Sequence, residues 1–167
     1  LIRWKQDLQF DRSTLVSLMS NINLINVDRD AKLLELKNII KNKLKNPTNK
    51  GNKKIIIFSA FADTAIYLHS NLIDWIKSEL GLFTSLVTGA GTNKTNMPGC
   101  RTDLNSILTN FSPQSKNRNE ISPDEKNEID IMFCTDCISE GQNLQDCDYV
   151  INYDIHWNPV RIIQRFG

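Results

Sequence analysis

Long apolar runs are missing from this chain: the longest, Ile55-Ile56-Ile57-Phe58, is far short of the roughly 20 residues that a membrane-crossing helix needs. No membrane partner is expected. A surplus of charge is missing as well, since 20 Lys+Arg stand against 19 Asp+Glu for a formal net charge of +1. No global basic field is present, so any contact with a polyanion has to be local. Cysteine is limited to Cys100, Cys134, Cys137 and Cys147, and histidine to two residues. A closed zinc site on Cys134-Thr-Asp-Cys137 would need two more ligands, and there is no second C-x-x-C or paired His to supply them. Free thiols, a reducing compartment and no metal are expected. The opening LIRWKQDLQF has neither an initiator Met nor the charged, apolar, small-residue order of a signal peptide, which predicts an excised, cytoplasmic piece. The sequons at Asn93 and Asn110 are then chance matches of a loose pattern.

What is present suits one globular domain. With 167 residues, 40% hydrophobic and 23% charged, the chain can bury a sizeable core, while two domains of ordinary size do not fit. Two helical patterns open it. In DRSTLVSLMSNINLI, Leu15, Leu18, Met19 and Ile22 share a stripe; in DRDAKLLELKNIIKNKL, Leu33, Leu36, Ile40 and Leu44 recur at three- and four-residue steps. The lysines of the second helix fall on its polar face, and Asp28 or Asp30 is its cap. After the loop NPTNKGNKK, the β-branched run KIIIFSA predicts a strand buried on both faces of a parallel sheet. A helix at DTAIYLHSNLIDWIKSEL closes at Gly81, with His69 at its surface or boundary, and LFTSLVT is a second strand. GAGTNKTNMPGC reads as a loop, CRTDLNSILTNF as a short helix and SPQSKNRNEISPDEKNE as an exposed loop. IDIMFCT and DYVINYDI are the third and fourth strands, and Asn158-Pro159 caps and starts a last helix. Strands alternating with helices predict a parallel α/β sheet, whose ligands lie on the loops past the strands' carboxyl ends.

Several residues on those loops have chemistry to offer. Thr135, just past a buried strand, has a hydroxyl and a backbone N–H that could hold a phosphate of a nucleic-acid backbone, or could simply cap the loop. In a chain with only seven glycines, Gly141 between Glu140 and Gln142 points to a required backbone conformation or marks an ordinary turn. Trp157 could stack on a base or sit as a half-buried rim aromatic. Spacing alone puts Arg165 on a solvated helix face. GAGTNKT is not a phosphate loop, because Asn93 stands where G-x-x-x-x-G-K-[ST] requires glycine before Lys94. His156, alternating with Asp154 at a strand end, has no pocket that would make it a proton carrier.

The stretch IDIMFCTDCISEGQNLQDCDYVINYDIHWNPVRIIQRFG resembles motifs V and VI of superfamily 2 helicases, closest to Swi/Snf-like and bacterial members that read T-[DE]-x-x-x-E-G-x-N-L-Q, D-x-x-W-N-P and Q-R-x-G-R-x-x-R. KIIIFSAF resembles the motif IV strand, LVTGAGTNK the G-S-T segment, and DRDAKLLEL the helix leading into the domain. The resemblance implies a RecA-like fold over residues 28–167, cut inside motif VI, with residues 1–27 a helical lead-in of unclear role. It implies the C-terminal half of an ATP-dependent helicase or translocase from a bacterial protein, lacking the phosphate loop and the Mg²⁺-binding D-E-x-[HD] motif of the N-terminal RecA-like half.

By that resemblance Glu140 and Gln164 are catalytic. Gly141, Asn143, Gln164 and Arg165 face the nucleotide, and Ser59, Thr88, Gly89, Thr135 and Trp157 face nucleic acid. ATP and Mg²⁺ are cofactors of the full-length protein, and neither is expected to bind this piece tightly. The implied partners are the N-terminal RecA-like half and nucleic acid, DNA rather than RNA because of the W-N-P variant. The rival reading is a stand-alone flavodoxin-like or receiver-like binding module with no catalytic partner, distinguishable by the sequence beyond Gly167.

Overall fold

The computed structural model describes residues 2–24, 26–89, 91, 93–138, 142–155 and 158–165, so Glu140, Gly141, His156 and Trp157 lie outside the described residues. The chain divides into two units, residues 1–39 and residues 40–167. In the first, α1 (Ile2–Ile22) begins well before the predicted Asp11 and leaves Leu15, Leu18, Met19 and Ile22 exposed. Its Ser13, Thr14 and Ser20 hydroxyls donate back to carbonyls three or four residues earlier, which allows these poor helix formers to sit inside it. Of the two cap candidates for α2 (Ala31–Lys45), Asp30 takes the role: its Oδ1 accepts from Leu33 N at 2.9 Å.

The second unit is built on β1 (Ile55–Phe58), β2 (Thr84–Val87), β3 (Lys94–Thr95), β4 (Ile131–Cys134) and β5 (Val150–Asn152), ordered β3-β2-β4-β1-β5. All neighbours are parallel except β3, which runs antiparallel to β2. Every residue of β1, β2 and β4 is buried, as the continuous apolar run in β1 requires of a central parallel strand. One sheet face carries Ile56, Phe58, Val87, Met132 and Cys134 against Ile107, Leu108 and Phe111 of α4 (Leu104–Phe111). Alternation turns Ile57, Leu86 and Phe133 to the opposite face, where α3 (Ala62–Trp75) buries Ala65, Leu68 and Leu72. A π turn, Ile76–Leu80, continues α3 and ends at Gly81, whose φ of 68° glycine adopts without strain. Helices on both faces of a mostly parallel sheet give the expected α/β architecture.

Four local expectations are corrected. The loop after β2 contains β3, a two-residue edge held by Thr95 Oγ1 donating to Thr84 O at 2.8 Å and Asn96 Oδ1 accepting from Thr84 N at 2.7 Å. Two residues are too few for alternation to appear in sequence. The polar stretch 112–128 contains α5 (Arg118–Ile121), in which Arg118 is buried and donates to Asn127 O at 2.7 Å. His69 is buried rather than superficial, 3.3 Å from Thr84 Oγ1 and edge-on to Phe133; burial, with Lys94 nearby, holds its pKa down at about 4. Lys43 is not on a polar face: its side chain is fully buried, with Nζ 2.6 Å from Asp148 Oδ1 and 3.2 Å from Asn52 O. A long amphipathic side chain crosses the rim of a helix stripe easily, so periodicity could not show this.

Candidate functional site

The register of the sheet sets its carboxyl edge. Phe58 is level with Cys134 and Asn152, and Val87 with Cys134. Backbone bonds continue these ladders one step outward: Ser59 N to Cys134 O at 2.9 Å, Thr135 N to Val87 O at 3.2 Å and Tyr153 N to Phe58 O at 2.8 Å. Ser59, Thr88, Thr135 and Tyr153 therefore leave the sheet in one row, the place where α/β sheets hold ligands. Three strand gaps of about 4.8 Å make that row ~14 Å long.

Within the row the residues differ in what they present. Ser59 is fully buried; its Oγ donates to Asp154 Oδ2 at 2.6 Å and accepts from Phe61 N at 3.2 Å. Its hydroxyl thus orients Asp154 rather than facing solvent. Thr88 is buried, and a Cβ on Gly91 would come within 3.1 Å of its Oγ1. Gly89 is exposed and abuts Cys137, whose Cβ a side chain there would meet at 3.4 Å. Thr135 is half-buried; its N–H is taken by Val87 O, and its Oγ1 lies 3.5 Å from Cys137 Sγ.

Beside this row, α6 (Pro159–Gln164) starts as its sequence dictates. Asn158 Oδ1 accepts from Val160 N at 3.0 Å, and Pro159 occupies the first turn, where no N–H is needed. A cleft of about 560 Å³ is lined by Gln142, Asn143, Gln164 and Arg165 above Ile56 and Phe58. It brings together the three described residues expected to face nucleotide. Arg165 is buried, not solvated as spacing suggested: Nε donates to Asp136 Oδ1 at 2.6 Å, Nη1 to Asn152 Oδ1 at 2.7 Å, and the guanidinium lies 5.0 Å from the Phe58 ring. Asp136 was legible only as the acidic position of the T-[DE] motif and Asn152 carried no signal, because only folding brings β4, β5 and α6 together.

A larger cavity, about 680 Å³, opens at the amino edge among Lys50, Lys53, Lys126, Glu128 and Asp130. No residue given a role above lines it, and its lysines and carboxylates largely cancel. Cys134 and Cys147 fit a packing role, while Cys137 is exposed: burial raises Cys134 well above the ordinary range and Cys147 to about 11, so both stay protonated and poor as ligands or nucleophiles. No helix among the described residues is long and apolar enough to cross a membrane.

Comparison with known proteins bears on the fold as a whole. A profile described as the helicase conserved C-terminal domain matches residues 31–167. The chain is 29% identical over 163 residues to the uncharacterized ATP-dependent helicase YqhH of Bacillus subtilis (strain 168), covering 98% of this chain and 23% of that protein. It is 32% identical over 145 residues to the probable ATP-dependent RNA helicase ddx51 of Dictyostelium discoideum, covering 83% of this chain and 21% of that protein. The chain thus spans less than a quarter of the relatives it matches. A motif-bearing α/β sheet and a profile match over most of its length together establish that the chain belongs to the helicase conserved C-terminal domain family.

Proposed function

We propose that this chain is the second motor lobe of an ATP-dependent nucleic-acid translocase, closing the nucleotide cleft with one edge and holding a nucleic-acid backbone with the neighbouring one. The observation that supports the reading is adjacency: the cleft containing Asn143 and Gln164 lies beside the row of strand exits carrying Gly89 and Thr135. Asn143 and Gln164 offer amides that suit the ribose and phosphates of ATP. Mg²⁺ would be held by the phosphates and the other lobe. Bound between lobes, ATP and Mg²⁺ supply the phosphoryl group and its charge neutralisation. The part of this chain is to position, and to exclude water from, the side of the cleft it closes. The W-N-P segment favours duplex DNA as the track, with RNA as the alternative.

A row of ~14 Å spans about four nucleotides at 3.4 Å of rise each. The row presents the half-buried Thr135 and the exposed Gly89 rather than cations, so the isolated chain should bind weakly, with a log–log salt slope of roughly −1 to −3. The test compares ATP turnover by full-length protein and by residues 1–167, each with duplex DNA, single-stranded DNA and RNA of equal length. Full-length turnover should be stimulated, most by duplex DNA, and the isolated chain should be inactive. Turnover by the isolated chain, or indifference of the full-length protein to all three nucleic acids, defeats the proposal; stimulation by RNA alone moves the track to RNA.

A further inference from the structure

We infer that Arg165 is a positioning residue, not a nucleotide ligand: with Asp136 and Asn152 it forms a buried brace that fixes the nucleic-acid-side loop to the nucleotide-side helix. The inference rests on the functional reading above and specifies how its two sides communicate.

The geometry points to a brace. Arg165 Nε bonds Asp136 Oδ1 at 2.6 Å and Nη1 bonds Asn152 Oδ1 at 2.7 Å, with the Arg165 side chain fully buried. A guanidinium so engaged has its charge neutralised by Asp136 and its plane fixed by two acceptors, which suits structure rather than the approach of a phosphate. Phe58 beneath the guanidinium, at 5.0 Å, adds a face on which it rests. Nη2 is buried with no acceptor among the described residues, a donor that these two bonds leave over, so the brace rests on Nε and Nη1.

The placement gives the brace its consequence. Asp136 follows Thr135, the residue at the exit of β4, and Arg165 follows Gln164, which lines the cleft. Asn152 ends β5. One side chain thus joins the exits of two strands to α6, and the two residues one peptide away face the two proposed ligands. Without the brace, each segment could still bind its own ligand, but movement of one would no longer be imposed on the other.

The experiment uses full-length protein and measures steady-state ATP turnover with and without duplex DNA for wild type, Asp136→Asn, Arg165→Lys and the double variant. Thermal unfolding and half-saturating DNA are measured alongside. Asp136→Asn is isosteric and keeps an acceptor for Nε, while Arg165→Lys keeps the charge and loses the planar fork, so at least one variant retains the fold. Each single variant should lower the ratio of stimulated to unstimulated turnover by roughly five- to tenfold, within the usual range of coupling between sites. The double variant should be no worse than the more affected single one, because the pair acts as a unit. A lowered unfolding temperature with an unchanged ratio makes the pair merely structural and overturns the inference. So do multiplying effects in the double variant. A wild-type enzyme indifferent to nucleic acid instead defeats the functional reading, and this inference with it.

Discussion

The two edges of the sheet are built differently. At the amino edge polar side chains are tied into a dense belt: Asp148 accepts from Lys43 Nζ and from Asn49 N and Nδ2, Asp146 accepts from the Gln114 and Ser115 backbones, and Lys54 Nζ lies 2.7 Å from Glu128. The belt joins the end of α2, three loops and the approach to β5. At the carboxyl edge the side-chain bonds run between strand exits and α6, as from Ser59 to Asp154 and from Arg165 to Asp136 and Asn152. The difference teaches a division of labour: the ties at the amino edge join the loops that lead into the strands, and the exits at the other end can carry chemistry on loops.

Removing the central cation of the amino edge should break the comparison most severely. Lys43→Ala leaves the Asp148 carboxylate short of its strongest partner inside the protein, at a cost of about 3 kcal/mol or more. For a domain of this size that is roughly 10 °C in Tm, measurable by thermal unfolding of the isolated chain. Lys43→Met with Asp148→Asn should recover much of the loss. Little change in the single variant would show that the belt does not hold this edge.

Acid should weaken the same end of the sheet, since His69 meets Thr84 at the start of β2. The folded pKa, about 4, lies below the ordinary histidine value of 6.5, so between these values the unfolded chain binds more protons and stability falls with falling pH. The span corresponds to about 3 kcal/mol, fully present above pH ~6.5 and lost by ~4. His69→Asn should flatten that limb of a Tm-against-pH curve; an unchanged limb would assign it to other groups. Asp130 acts oppositely, because burial raises its pKa despite the Phe83 N–H it accepts.

At the carboxyl edge the expected signature is reversed. Gln164→Ala in full-length protein should lower nucleic-acid-stimulated turnover by roughly 10²-fold while moving Tm by no more than a few degrees; Glu140→Ala is expected to behave alike. A large Tm loss with intact turnover would put Gln164 in the structural class of Lys43. The smallest effect belongs to Asn158→Ala, which removes the cap of α6 and should cost about 1 kcal/mol, with Asn158→Asp restoring it. An equal loss in both variants would show that the cap does not act through its side-chain oxygen.

Sequence fixed on the right architecture here because the strands needed little context. KIIIFSA and IDIMFCT are buried on both faces, so their hydrophobicity is continuous and legible; Gly81 and Asn158-Pro159 act through local backbone geometry and were equally plain. The family resemblance pointed to Asn143 and Gln164, which the fold brings to one cleft. Lys43, His69 and Arg165 were misjudged for a shared reason: whether a polar residue at the rim of a helix stripe is buried depends on a partner distant in sequence. Lys43 meets Asp148 across 105 residues and Arg165 meets Asp136 across 29.

What the sequence by itself determined is therefore the element order, the buried strands and the motif segments, all set by local propensity and by hydrophobic patterns a few residues long. Tertiary structure alone decided the strand order β3-β2-β4-β1-β5 and, through it, which exits stand side by side. It decided too that Ser59 turns inward to Asp154 and that Arg165 bridges β4 and β5. The physical reason is that a charge or hydroxyl is buried only where folding supplies its partner, and that partner is selected by topology, which no short stretch of this chain encodes.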